Sequence, residues 1–151
     1  MKEITLYTDG ACSGNPGVGG WGCVLMYRGV QKEYSGAEKE TTNNRMELLA
    51  VIEGLKKLKT ACHVDVFSDS AYVTNAFLQG WTFNWIKNNW RGSDKKEVKN
   101  KDLWLELLSL CGMHEVSWHK VKGHADNPLN NRCDELATGA IKQFKKDNCI
   151  E

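Results

Sequence analysis

Asp9, Glu47, Asp69 and Asp134 are the residues of this chain whose settings point to chemistry. Asp9 closes the run Ile4-Thr5-Leu6-Tyr7-Thr8, and Asp69 closes a second run, His63-Val64-Asp65-Val66-Phe67-Ser68, both rich in strand formers. If the two runs are neighbouring parallel strands, their last carboxylates lie roughly 5 Å apart, the spacing between strands. Two anions that close require a cation between them. Glu47 lies beside the apolar stripe of a helical pattern, with Val51, Gly54 and Leu58 on its side, and Asp134 flanks the stripe of the last helical pattern with Ala137 and Ile141. Oxygen donors of this kind suit Mg²⁺ or Mn²⁺. Zinc would ask for His or Cys at close spacing, and His114, His119 and His124 form none of the usual helical pairs. Two such ions about 3.5–4 Å apart can bind the attacking water and the leaving oxygen of a phosphodiester at once.

Singly, each acid has an ordinary explanation. A strand-end Asp forms turns, Glu47 can snorkel or pair with Arg45, and an acid in the first turn of a helix gains from the helix dipole. The pattern leaves kinase-like and phosphatase-like uses open. The lack of a Gly-x-x-x-x-Gly-Lys-Ser/Thr loop counts against a P-loop NTPase.

The elements that must bring these acids together follow from periodicity. After Asp9, the residues Gly10, Gly14, Asn15, Pro16 and Gly17 read as a turn. Residues 20–28 and 31–37 read as two strands around Arg28-Gly29, the first too continuously apolar to alternate, completing an antiparallel meander with residues 4–9. Thr41 to Asn44 offer a helix N-cap, and residues 45–59 form a helix with Met46, Leu49, Ile52, Leu55 and Leu58 at its spacing. Strand 63–69 and helix 71–78 continue the order strand, helix, strand, helix, which implies a parallel pairing near the sheet centre. Trp81, Trp85 and Trp90 suggest a projecting tryptophan-lined helix and loop. Residues 102–110 read as a helix, 115–121 as a strand, and the last helix as starting near Arg132, with Cys133, Leu136, Ala140 and Phe144 inward. The expectation is an α/β fold in one domain spanning residues 1–151.

Composition bounds the rest. A 151-residue chain buries about two-thirds of its unfolded surface, enough for a core. No apolar run approaches the ~20 residues of a membrane span, and the N-terminus lacks the apolar core of a signal peptide, so a cytoplasmic protein is expected; a monomer is expected too, since a chain this long needs no partner to fold. The six cysteines show no metal or disulfide spacing and are expected to be reduced. Net charge is +1, but residues 87–101 carry Lys87, Arg91, Lys95, Lys96, Lys99 and Lys101 against Asp94 and Glu97, a local +4 that leaves the remainder at −3. One face should attract polyanions.

The segments Thr8 to Gly17, Thr42-Asn43-Asn44-Arg45-Met46-Glu47, Ser68-Asp69-Ser70, Val98-Lys99-Asn100 with Asp102-Leu103-Trp104, Val121-Lys122-Gly123-His124, and Arg132-Cys133-Asp134-Glu135-Leu136-Ala137 resemble, in order and over nearly the whole chain, the type 1 ribonucleases H of bacteria. The resemblance implies a ribonuclease H-like fold, a five-stranded mixed sheet flanked by helices. It also implies Mg²⁺-dependent endonucleolytic cleavage of the RNA strand of an RNA–DNA hybrid, with Mn²⁺ as a substitute and two ions when substrate is bound. Asp9, Glu47, Asp69 and Asp134 match the family's metal-binding acids, and His124 its mobile-loop histidine, which assists proton transfer and product release. Gly123 and Asp126-Asn127 permit motion around it, and an imidazole pKa near 6.5 suits acid–base work.

Hybrids display 2′-hydroxyls in a wide, shallow minor groove, so a reader of RNA needs short polar groups on a closely approaching backbone. Gly10, Cys12, Asn15, Asn43 and Asn44 fit, and by resemblance line that groove. Thr42, Trp81, Asn84, Trp85, Lys87, Arg91, Lys95 and Lys96 are the candidates for phosphates and sugars of the DNA strand. Ala71 stands where relatives often carry Gln, Asn131 where an acid is common, and Asp126-Asn127 in place of Gly-His. Ile86 and Asn88-Asn89 dilute the basic projection, and weaker or more salt-sensitive hybrid binding is expected. The rivals are a non-catalytic hybrid or double-stranded RNA binder on the same fold, and another nuclease of the superfamily. Because Asp9 comes so early, no N-terminal hybrid-binding module is expected.

Overall fold

The computed structural model describes residues 1–122 and 127–150. Three strands, β1 (Lys2–Cys12), β2 (Gly17–Tyr27) and β3 (Val30–Thr41), form the antiparallel meander. Helix α1 (Asn43–Lys56) crosses to β4 (Cys62–Ser68), which pairs parallel with β1 from Lys2↔Cys62 to Thr8↔Ser68. Helices α2 (Ala71–Leu78), α3 (Trp81–Lys87) and α4 (Lys101–Cys111) lead to β5 (Glu115–Lys120), parallel to β4, and α5 (Pro128–Asp147) closes the chain. The sheet order is β3-β2-β1-β4-β5.

Helix α1 covers one face of the meander and α5 the other. That two-sided cover explains why β2 is apolar throughout: Val18 to Leu25 are all buried, so alternation has no solvent face to mark. The main core joins Leu6, Val64 and Val66 of the sheet to Met46, Leu48 and Ile52 of α1, and to Trp104 and Leu107 of α4. All six cysteines are free thiols, as expected from their spacing. No helix among the described residues is long and apolar enough to cross a membrane.

Several expectations need correction. The strand carrying Asp9 does not end there: β1 runs on to Cys12 because β2 keeps pairing with it, Asp9 opposite Gly22 and Gly10 opposite Trp21. What stops after Thr8 is the pairing with β4, so Asp9 stands where the sheet splits. The last helix starts at Pro128, not near Arg132. Asn127 caps it, its Oδ1 accepting the Asn130 N–H at 3.0 Å, and proline at the first helical position has its φ already set. Asp134 therefore lies beyond the first turn, where the dipole argument does not reach. The inward stripe is Asn130, Cys133, Ala137 and Ile141, with Leu136, Ala140 and Phe144 on its flank. Helix α3 ends before Trp90, which is buried with its backbone at φ 61°.

Candidate active site

Each acid is positioned by a local device. Ser68 Oγ accepts the Ser70 N–H at 3.0 Å, and Ser70 Oγ accepts the Val73 N–H at 3.3 Å as cap of α2. Asp69 is thus held between a strand end and a capped helix. Thr42 Oγ1 accepts the Arg45 N–H at 3.3 Å and starts α1, which places Glu47 in its second turn. Gly10 sets how near that turn comes. A Cβ there would lie 2.5 Å from the Glu47 N and from the Met46 carbonyl carbon, so only glycine lets α1 settle against β1 beside Asp9. On the other face, a Cβ at Gly22 would lie 2.6 Å from the Cys133 carbonyl oxygen and from Leu136 Cβ. Gly22 is the strand partner of Asp9, so the close seat of α5 carries Asp134 toward Asp9.

The result is a cluster in which Asp9, Glu47 and Asp69 each present a carboxylate oxygen within 4.8 Å of the others. Among the described residues, no Lys, Arg or His is ion-paired with these acids. Arg45, close by in sequence, is instead engaged by Asp102 in a two-pronged pair at 2.8 and 3.0 Å, which overturns the pairing of Glu47 with Arg45. Burial, then the Asp69 charge, pushes the Asp9 carboxyl up to about 7. Asp134 adds to the rise, while the Gly10 amide, donating to Asp9 Oδ1 at 2.9 Å, opposes it. Glu47 is raised well above the usual carboxylate range by burial first and by Asp9 and Asp69 next. Its Oε2 is buried without a hydrogen-bond partner among the described residues. Acids forced together, one with an orphaned oxygen, make a hard-donor set fitted to a divalent cation. Asp134 is exposed at the rim, coupled to Asp9 but outside the three-acid group.

The expected substrate contacts form two patches. Gly10, Cys12, Asn15, Thr42, Asn43 and Asn44 gather where β1 and β3 end and α1 begins. Asn15 Oδ1 accepts the Asn43 N–H at 3.2 Å, tying the turn to the helix start. The Cys12 thiol, its pKa raised by burial, points to the carbonyls of Thr41 and Gly17 at 3.4 and 3.6 Å, so it links the strand ends. Trp81, Asn84, Trp85 and Arg91 line one groove of about 320 Å³ with Asn88. The tryptophans also serve the core: Trp85 meets Trp104 edge-on at 5.1 Å and Trp90 at 5.9 Å. Lys87, Lys95 and Lys96 are exposed, the last two in a tight loop closed by the Arg91↔Glu97 bridge. His124 lies outside the described residues.

Sequence reading missed the devices rather than the acids. Gly20 and Gly22 seat α5; the signal was the run Gly19-Gly20-Trp21-Gly22 inside a strand. The Tyr72 hydroxyl accepts from Asn100 Nδ2 at 3.1 Å and Trp104 Nε1 at 3.0 Å, and Arg45 Nη1 donates to Asn100 Oδ1 at 3.3 Å, so α1, α2 and α4 are cross-braced. No local pattern announces that network.

A mixed sheet whose central parallel strands bring acids together at one end defines an α/β protein with a carboxylate cluster suited to holding a metal ion. The family model described as RNase H matches residues 1–142, and the chain belongs to the ribonuclease H family. It is 60% identical over 146 residues to a ribonuclease H of Acetivibrio thermocellus, covering 97% of this chain and 99% of that one. A ribonuclease H of Chlorobium limicola is 62% identical over 141 residues, covering 93% and 97%. Among solved structures, LC9-RNase H1, a type 1 RNase H with the type 2 active-site motif, superposes with a TM-score of 0.85 at 29% identity, covering 94% of this chain and 73% of that one. LC11-RNase H1, solved in complex with an RNA/DNA hybrid, gives 0.67 at 27% identity, covering 93% and 98%.

Proposed function

We propose that this chain is a ribonuclease H that hydrolyses the RNA strand of RNA–DNA hybrids, using Asp9, Glu47, Asp69 and Asp134 as metal ligands and His124 in proton transfer. The carrying observation is the group of Asp9, Glu47 and Asp69 with oxygens within 4.8 Å, none of them ion-paired with a cation among the described residues. A module that only bound nucleic acid would gain nothing from concentrating negative charge where a phosphate must sit. Family membership and the hybrid bound to LC11-RNase H1 support the substrate.

Mg²⁺, as two ions with substrate present and with Mn²⁺ as a substitute, would supply Lewis acidity and an activated water at this cluster. The protein's own contribution is placement. Asp9 and Asp69 approach from neighbouring strands, Glu47 is brought in by the close packing at Gly10, and Asp134 completes the rim from α5. Asn15, Asn43 and Asn44, with the Gly10 and Cys12 backbone, meet the RNA side of the minor groove. Thr42, the groove of Trp81, Asn84, Trp85 and Arg91, and the amines of Lys87, Lys95 and Lys96 hold the DNA strand. We further propose that residues 1–151 act as one catalytic domain, monomeric and cytoplasmic.

The test uses a uniform RNA–DNA hybrid, an RNA duplex and a DNA duplex, each with Mg²⁺ or chelator. Cleavage of the hybrid RNA strand, dependent on metal and lost in Asp9→Asn, is the expected outcome. Cleavage retained in that variant or in chelator would overturn the proposal.

A further inference from the structure

The end of the sheet opposite the acids carries a second feature. Helix α1 stops at Lys56 while the strands beneath it run on, leaving a pocket of about 410 Å³ on that face. Its lining includes Lys2, near the start of β1, where Lys2 pairs with Cys62; the acids lie past Thr8↔Ser68, roughly 20 Å away along β4. Ile4, Leu25 and Leu58 give it an apolar floor, and Tyr27 and Tyr34 stand in its wall. Lys2, Lys32, Lys57 and Lys59 also line it, and among the described residues no Asp or Glu does.

Lysines just past a helix end complement its negative pole, which accounts for Lys57 and Lys59. It does not account for Lys2 and Lys32, which come from β1 and β3. Two of the four lysines, though exposed, lie over tyrosine rings of the wall, and Arg28 beside the pocket does the same. Lys57 Nζ lies 4.7 Å from the Tyr34 ring centre, and Lys2 and Arg28 lie 5.5 and 5.3 Å from that of Tyr27. The volume falls in the range of small-molecule sites.

We infer that this pocket is a second ligand site, separate from the acid cluster, for a compact molecule that joins a flat apolar ring to at least two adjacent negative charges, the chemistry of a nucleoside diphosphate. The ring lies on the apolar floor against the tyrosines, and the charges meet the lysines.

Calorimetric titration of the whole protein in chelator with ADP, adenosine and inorganic pyrophosphate tests this. ADP should bind saturably at one site, with adenosine and pyrophosphate each at least about tenfold weaker, because each meets only half of the pocket. Lys32→Ala combined with Lys57→Ala should weaken ADP about tenfold while hybrid cleavage stays unchanged, which also shows that the variant is folded. Lys142→Ala, on α5 across the sheet, should leave ADP binding as it was. Absence of saturable ADP binding, pyrophosphate binding as tightly as ADP, or ADP binding that survives the double substitution would each overturn the assignment. None of these outcomes bears on the acid cluster, since the lysine variant and the Asp9 variant report on different ends of the sheet.

Discussion

Asp9 is a single carboxyl through which stability and the proposed metal binding would be coupled. Its folded-state pKa is raised from 3.8 to about 7, so between those values the folded chain holds a proton that the unfolded chain has released. Metal-free stability attributable to Asp9 is therefore present below about pH 4 and lost as pH rises toward 7. Asp9→Asn, which cannot ionise, should stabilise the metal-free protein by up to about 4 kcal/mol at pH 8 and by almost nothing at pH 4. Urea unfolding at the two pH values checks this. The same carboxyl must lose its proton to bind a cation, so Mg²⁺ affinity measured by calorimetry should weaken as pH falls below about 7. In cleavage assays Asp9→Asn should lose roughly a thousandfold or more, since the charge stabilisation removed is worth several kcal/mol.

Where helices meet the sheet, the catalytic geometry depends on residues that carry no chemistry. Gly10→Ala would drive a methyl into the backbone at Met46 and Glu47, forcing α1 outward. Such overpacking costs about 1–3 kcal/mol. Hybrid cleavage should fall further than stability does, because Glu47 moves with the helix; parallel unfolding and single-turnover measurements separate the two losses. Tyr72→Phe removes the acceptor shared by Asn100 Nδ2 and the indole N–H of the buried Trp104, and a denaturation midpoint should reveal a loss of about 1–3 kcal/mol. Strands and helices themselves were readable because their periods are local. Helix α2 spans residues 71–78 as the pattern required. The start of α5 is not legible locally because Pro128 and Asn127 look like loop chemistry until the cap is seen, and the full length of β1 is not because the partner that extends it, β2, lies later in the chain.

Across the molecule, charge is divided between an acidic cluster at one end of the sheet and a basic loop and helix at residues 87–101. Each phosphate neutralised releases counterions, so hybrid affinity should fall with salt, and Lys95→Ala with Lys96→Ala should flatten the slope of log affinity against log salt by about two if both amines meet phosphates. A slope equal to that of the unaltered protein would remove the pair from the interface. The linear order of residues was enough to mark the four acids, the strand and helix types and the uneven charge, because those depend on side-chain identity and near-neighbour spacing. It was not enough to say that Asp9, Glu47 and Asp69 come within 4.8 Å, that Asp134 stands at the rim, or that the tryptophans divide between groove and core. The placement of Glu47 and Asp134 depends on how closely α1 and α5 seat against β1 and β2. That is set by the missing Cβ atoms of Gly10, Gly20 and Gly22 facing backbone from distant parts of the chain, a contact that no local spacing encodes.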